Sequence, residues 1–209
     1  MVSASFLFFS CEKASTSDLA ELTMDLESKK SANKKNLSIG QEFEGGIIFY
    51  LDETGKHGLI AAKVDLGPAP WGCYGTSISQ ARSWDDGEAN TQAIIEQCNE
   101  VGTAARLCAD YVVRENGDKG KKYNDWFMPA YYQLNTIMSK LKSSSGMCNK
   151  TYWVSTEATG SFQAVPIDPA KRAWQRAISC AAQNPDSYGI FHAPSSKTNL
   201  AYVRPIRVF

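Results

Sequence analysis

The chain has no surplus of either charge: 22 lysines and arginines balance 22 aspartates and glutamates. A sequence-independent electrostatic partner such as nucleic acid calls for a basic excess, and none exists here. Histidine is scarce, with only His57 and His192, so a Ser/His/Asp or Cys/His arrangement would have to draw on one turn residue and one loop residue. Glycine-rich phosphate loops are missing. None of the six cysteines falls in a Cys-x-x-Cys pair, which argues against zinc, and no loop gathers the hard oxygen ligands that calcium needs. No stretch approaches the roughly 18 apolar residues of a membrane helix. We therefore expect no catalytic residue, no metal and no cofactor.

What remains is a 209-residue chain, enough for one domain and a tail. Aromatic residues make up 11%, including five Trp and nine Tyr, which serve either as a binding surface or as core filler. Phe6-Leu7-Phe8-Phe9-Ser10-Cys11 is a short apolar run ending in a small residue and a cysteine. It resembles the end of a bacterial lipoprotein signal, with Cys11 as the acylated residue. It departs from that pattern in having no Lys or Arg before the run and Phe8 three positions ahead of the cysteine. A start internal to a longer signal would account for the missing charge, and an apolar strand with a buried thiol is the alternative. Residues 1–11 are read as the signal remnant and 12–38 as a disordered tether, rich in Ser, Lys, Glu and Ala and without an aromatic. The expected location is the bacterial cell envelope, lipid-anchored to the outer membrane on its periplasmic or surface face.

The folded domain spans 39–209. Residues 45–51 and 59–62 flank a polar turn and read as a hairpin. A helix is expected over 89–99, capped near Asn90 or Thr91, and a second over 103–114 with Ala104, Leu107, Cys108, Tyr111 and Val112 inward. Asp85, Asp86 and Glu88 read as a helix cap in preference to a cation site. Trp126 and Phe127 are expected in a core. Pro129 opens a third helix, whose apolar face is Leu134, Ile137, Met138 and Leu141. Strands follow at 151–156, 161–165, 173–178 and 202–209, with Pro205 confining the last to an edge or bulge. Strands, then helices, then strands make an α+β domain whose termini pair in one sheet.

Several motifs carry a resemblance. Gly46-Ile47-Ile48-Phe49-Tyr50, Gly58-Leu59-Ile60-Ala61-Ala62, Trp71-Gly72-Cys73-Tyr74-Gly75-Thr76, Asp125-Trp126-Phe127-Met128-Pro129 and Tyr152-Trp153-Val154-Ser155-Thr156-Glu157 occur in that order. Over 39–209 the chain resembles the family typified by the C-terminal domain of the Legionella collagen-like adhesin. The resemblance implies a C-type-lectin-like fold with two to three helices and looped antiparallel strands. The same fold houses formylglycine-generating, sulfatase-modifying enzymes. Those work through cysteines near the C-terminus, whereas here the last is Cys180.

Cys73, Cys98, Cys108, Cys148 and Cys180 would oxidise in an exported chain and leave one unpaired. A Cys98–Cys108 bridge is one possibility, and connectivity stays open. By analogy with the adhesin, the expected function is a non-enzymatic cell-surface module for an acidic or sulfated glycan, or another envelope or host polymer. The candidate contacts are Trp71, Tyr74, Lys171, Arg172, Trp174 and Arg176, because arginines grip anions bidentately and aromatic faces stack on sugar rings. A solvated strand with a core Trp is the plainer reading of 171–176. The alternative function is a structural or assembly component of the envelope, and a sulfatase-modifying-like enzyme is third.

Overall fold

The hairpin expected around the polar turn is present: β2 (Gly46–Leu51) and β3 (Gly58–Ala62) pair antiparallel. The computed structural model describes residues 36–115, 117–141, 146–181 and 184–209, and the compact unit within them runs Leu37–Phe209. Cys11, the signal remnant and the tether as far as residue 35 lie outside the described residues. The short β1 (Glu42–Phe43) and β13 (Ile206–Val208) flank the hairpin in the order β1-β2-β3-β13, so the two ends of the unit share one sheet. A second sheet has the order β11-β10-β7-β12-β4. It contains β4 (Leu66–Ala69), β7 (Lys150–Glu157), β10 (Arg172–Ala181), β11 (Asn184–Ser196) and β12 (Ala201–Val203). Its pairs are antiparallel except β12 against β7. Two-stranded ribbons are formed by β5 (Val113–Arg114) with β6 (Lys122–Tyr123) and by β8 (Ser161–Phe162) with β9 (Val165–Pro166). Together with three helices among the described residues, this is an α+β fold.

The single strand expected over 202–209 is two strands in two sheets. Pro205 has no N–H to continue a ladder, and the chain changes sheet at Arg204-Pro205. Asp65 fixes the corner. Its carboxylate accepts from Arg204 Nε at 2.7 Å, Lys150 Nζ at 2.7 Å and the Tyr152 hydroxyl at 2.9 Å. The strand expected over 161–165 is likewise broken. Gln163 and Ala164 adopt positive φ (50° and 63°) and turn the chain between β8 and β9.

Helix α1 (Gly87–Gln97) starts two residues before its expected position because Asp86, not Asn90 or Thr91, caps it, accepting from the Ala89 N–H at 2.9 Å. Asn90 is buried and bonds Ser83 and Ser155. The second helix, α2 (Ala104–Ala109), is half the length read from periodicity. Tyr111 leaves it to meet Trp126 edge-on at 5.3 Å. Helix α3 (Tyr131–Leu141) buries Leu134, Ile137, Met138 and Leu141 as expected. Pro129 stands just ahead of it rather than in its first turn, since the Pro129 carbonyl accepts from Ser155 on β7 and Ala130 takes the cap position. The Gln133 side-chain oxygen accepts from the Ala130 N–H at 2.9 Å and from the Gly87 N–H at 3.0 Å, so one amide closes the N-termini of α1 and α3. A Cβ at position 87 would run into that oxygen, and glycine is required there.

The residues Trp126, Phe127 and Met128 enter three different hydrophobic clusters. Phe127 joins the cluster between α3 and the two sheets, with Phe49, Leu134, Tyr152 and Ile206. Met128 joins the one beneath α1 and α2, with Trp71, Ile94, Cys108 and Trp153. Trp126 lies with Ile48, Ile60 and Tyr123 on the outer face of the first sheet. Phe127 is also bridged to Ile206 by two backbone hydrogen bonds of 2.8 and 3.0 Å. Disulfides join Cys73 to Cys98 and Cys148 to Cys180, and Cys108 is a free, buried thiol. The possible Cys98–Cys108 bridge is thereby replaced, because the Cys73 loop lies against the end of α1 while Cys108 faces into the cluster beneath α2. Among the described residues no helix is long and apolar enough to cross a membrane.

Removing the Trp126 side chain should destabilise the domain by roughly 3–5 kcal/mol, the usual loss for a buried large aromatic. A chemical denaturation difference below about 1 kcal/mol would contradict its place in the core. A second expectation concerns pH. Arg207 bonds Asp125 through both Nε and Nη2, at 2.7 and 2.9 Å, and these bonds hold the Asp125 carboxyl below its usual range against the opposing effect of burial. A lowered folded-state value stabilises above the unfolded value, about 3.9 for Asp, and that stability is lost as pH falls through the folded value. The stability gap between the native protein and Arg207→Ala should therefore narrow between pH 6 and pH 3 in denaturant melts. A gap that is constant with pH would refute the role of the pair.

Candidate functional site

On β10, residues 172, 174, 176 and 178 alternate onto one face of the sheet. Cross-strand partners on β11 are Pro194 opposite Trp174 and His192 opposite Arg176. The first two turns of α3 lay Tyr131, Tyr132 and Asn135 over this face. Trp84 reaches it from the loop before α1, and Phe162 from β8. The rings form a continuous shelf. Trp84 lies 4.6 Å from Tyr131, 5.7 Å from Tyr132 and 5.8 Å from Trp174, centroid to centroid. Trp174 and Phe162 each stand 5.8 Å from His192 and 5.7 Å from one another. Trp84 is 40% exposed and Tyr132 55%, while Tyr131 and Trp174 are buried beneath them.

Under the shelf lies Arg176, only 6% exposed. Its guanidinium sits 4.4 Å from the Tyr131 ring centroid, and Nη2 donates to Asn135 Oδ1 at 2.7 Å. Its Nε is buried without a partner among the described residues. Burial pushes the Arg176 guanidinium down from its ordinary value, with Tyr131 opposing, and burial pushes the Tyr131 phenol up. The result is a fixed positive charge under aromatic rings, in surroundings that screen it weakly. Arg172 is exposed at one end of the shelf, where Phe162, Pro166, Ile167 and Pro194 line a hollow of ≈ 210 Å³ beside it.

The six expected contacts do not form one site. Arg172, Trp174 and Arg176 belong to the shelf, but Trp174 and Arg176 support it from below and offer little surface of their own. Tyr74 and Lys171 are exposed neighbours joined by a bond from the Gly75 N–H to the Ala170 carbonyl, and Lys171 is paired with Asp168 at 3.1 Å. Trp71 is fully buried: its indole donates to the Val154 carbonyl at 3.0 Å and Lys197 lies 4.4 Å over its ring, so no face is free to stack. His192 lies on strand β11 and not in a loop. Trp84, Tyr131, Tyr132, Phe162 and His192 were not among the expected contacts. A signal for Tyr132 was present, since the inward series of α3 leaves position 132 facing out.

Other groupings are less open to a ligand. The cluster of metal-ligand type seen among the described residues, Cys73, Cys98 and Glu100, has both sulfurs in a disulfide, and Glu100 accepts from the Cys73 N–H at 3.1 Å. A hollow of ≈ 500 Å³ beside β1 has Glu42, Glu44, Lys63, Arg114 and Glu115 in its lining, where Glu42 pairs with Lys63 at 2.6 Å and Glu44 reaches outside it to Lys121 at 2.6 Å. Compared with known proteins, the chain matches no family model and no curated protein.

Arg176 and Arg172 should separate in stability. Losing the buried Arg176 bond and stacking should cost about 1.5–3 kcal/mol, while Arg172→Ala should stay within about 0.5 kcal/mol. Of the two arginines expected as contacts, only Arg172 is a surface cation. Equal denaturation midpoints for Arg176→Ala and the native protein would contradict the buried position.

Proposed function

We propose that the domain is a non-enzymatic binding module for an acidic or sulfated glycan, displayed at the bacterial cell envelope. The observation that carries this reading is the aromatic shelf with Arg176 beneath it and Arg172 at its edge. Exposed Trp84 and Tyr132 faces suit the apolar C–H faces of a pyranose. The two guanidinium groups supply positive charge for a carboxylate or sulfate in a chain whose overall charge is zero. Attraction is thus local, and it fades once salt shortens the Debye length below its roughly 8 Å physiological value. The resemblance to the C-terminal domain of the Legionella collagen-like adhesin, with its C-type-lectin-like fold, supports the same reading. So do the two disulfides, which fit an oxidising, extracytoplasmic compartment. A lipid on Cys11 would hold the domain at the membrane, and Cys11→Ser would then release it.

The test is calorimetric titration with heparin-like and neutral polysaccharides at low and high salt. We expect weak, salt-sensitive binding to the anionic glycans alone. Trp84→Ala should weaken it about three- to tenfold, as befits a contact worth about 0.5–1.5 kcal/mol. Arg172→Ala should reduce its salt dependence. Absence of binding to every anionic glycan, or a Trp84→Ala protein that binds unchanged, would instead favour a structural role in the envelope through protein contacts.

A further inference from the structure

Tyr132 is a wall shared by two places. One side of its surroundings is the shelf, where it meets Trp84 and Tyr131. It also lines a hollow of ≈ 320 Å³ between β2, β3 and α3. We propose that this hollow is a second carbohydrate subsite, built for an uncharged pyranose that follows the anionic unit held on the shelf. The proposal rests on the glycan reading above and extends it to a defined neighbouring unit.

The hollow has the parts such a ligand needs. Phe49 and Leu59 contribute an apolar floor, and exposed Tyr50 stands in its lining together with Tyr132. Its volume is at the small end of ligand sites and suits one ring, not an extended molecule. The polar groups are held in place before any ligand arrives. The Gln133 oxygen is committed to two backbone N–H groups, those of Gly87 and Ala130, so the amide cannot turn over. Its NH2 group finds no protein acceptor among the described residues and remains a donor for a sugar hydroxyl. Asp85 offers the complementary acceptor. One of its oxygens takes the Ser83 hydroxyl at 2.8 Å, and the other has no protein donor among the described residues. The Thr136 hydroxyl donates to the Tyr132 carbonyl at 2.9 Å, which leaves its lone pairs facing outward as acceptors. A fixed donor, a carboxylate and aromatic walls are the means by which vicinal hydroxyls are recognised.

The charge of the subsite decides which unit it takes. Asp85 is the one ionisable side chain in the lining besides the tyrosines, and it repels a carboxylate or sulfate. The shelf, in contrast, has Arg172 and Arg176. A glycan in which charged and uncharged residues alternate fits both places at once, with Tyr132 between them. A uniformly charged polymer fits only one.

The experiment compares binding of two acidic oligosaccharides of equal length, one with alternate uncharged units and one charged at every unit. Tyr50→Ala and Thr136→Val are the variants, the latter removing a hydroxyl from the lining without adding a charge. Thermal melts check that each is folded. The alternating ligand should bind the native protein more tightly, and each variant should lose about tenfold for it, a change of about 1.4 kcal/mol. Affinity for the uniformly charged ligand should stay constant in both. Asp85→Asn should narrow the native preference between the two. If both ligands bind and the variants behave as native, the subsite is refuted while the shelf reading stands. Equal native affinity for the two ligands has the same meaning. If neither binds, the shelf reading fails and the subsite with it.

Discussion

One fully buried ion pair among the described residues ties together loops that are distant along the chain. Lys197 and Glu157 meet at 2.8 Å with both side chains fully buried. Removing two charges from water costs several kcal/mol each unless every lone pair and proton finds a partner. Here they do. Lys197 also donates to the Thr76 carbonyl at 2.8 Å and lies over the Trp71 ring. Glu157 accepts in addition from the Ile78 N–H at 2.6 Å, from the Ser77 hydroxyl at 3.1 Å and from Arg82 Nε at 3.1 Å. Burial pushes the Lys197 ammonium down and its bond to Glu157 opposes that. The pair joins three segments distant in sequence: the 71–82 loop, the end of β7 and the turn after β11. Its contribution is to fix one arrangement of those loops more than to add net stability, and the arrangement places Trp84 where it can roof the shelf.

The same network explains what could and could not be read from the sequence. The run Trp126-Phe127-Met128 and the Leu134 series declared themselves as interior, because large apolar groups at helical spacing have few other uses. The hairpin was equally legible from its polar turn. Trp71 was not. It sits in a loop with Gly72, which adopts a φ of 97°, and loop aromatics beside glycine look exposed. It is buried in the cluster beneath α1 and α2, with Lys197, far away in the chain and unremarkable on its own, over its ring. Arg176 was hidden for a related reason, since its partners Asn135 and Tyr131 reach it only after α3 docks on β10. Gln163 and Ala164 gave no turn signal, being neither glycine nor asparagine. The strand β11 contains two Pro and three Ser, residues that ordinarily mark loops, and it is held as a strand by its long pairing with β10.

The binding surface follows the usual division between rigid support and exposed recognition. Its buried members, Tyr131, Trp174 and Arg176, come from a helix and a strand. Trp84 comes from a loop, but its carbonyl accepts from the Tyr132 N–H at 2.8 Å, which ties it to the helix. The shelf therefore moves with the core and not with the loops, and its rings enter a ligand contact already ordered.

The change of sheet at Arg204-Pro205 also makes both sheets depend on pairings distant along the chain. Strand β12 completes the second sheet between β7 and β4, and β13 completes the first beside β3. Both arrive after all of their pairing partners have been synthesised. Contacts this distant along the chain raise the contact order and slow the search for the native state. A chain lengthening from its N-terminus cannot complete the second sheet before β12 has appeared, or the first before β13 has, and until then β3, β4 and β7 each lack a neighbour. One short segment, residues 201–208, thus seals an open place in each of the two sheets.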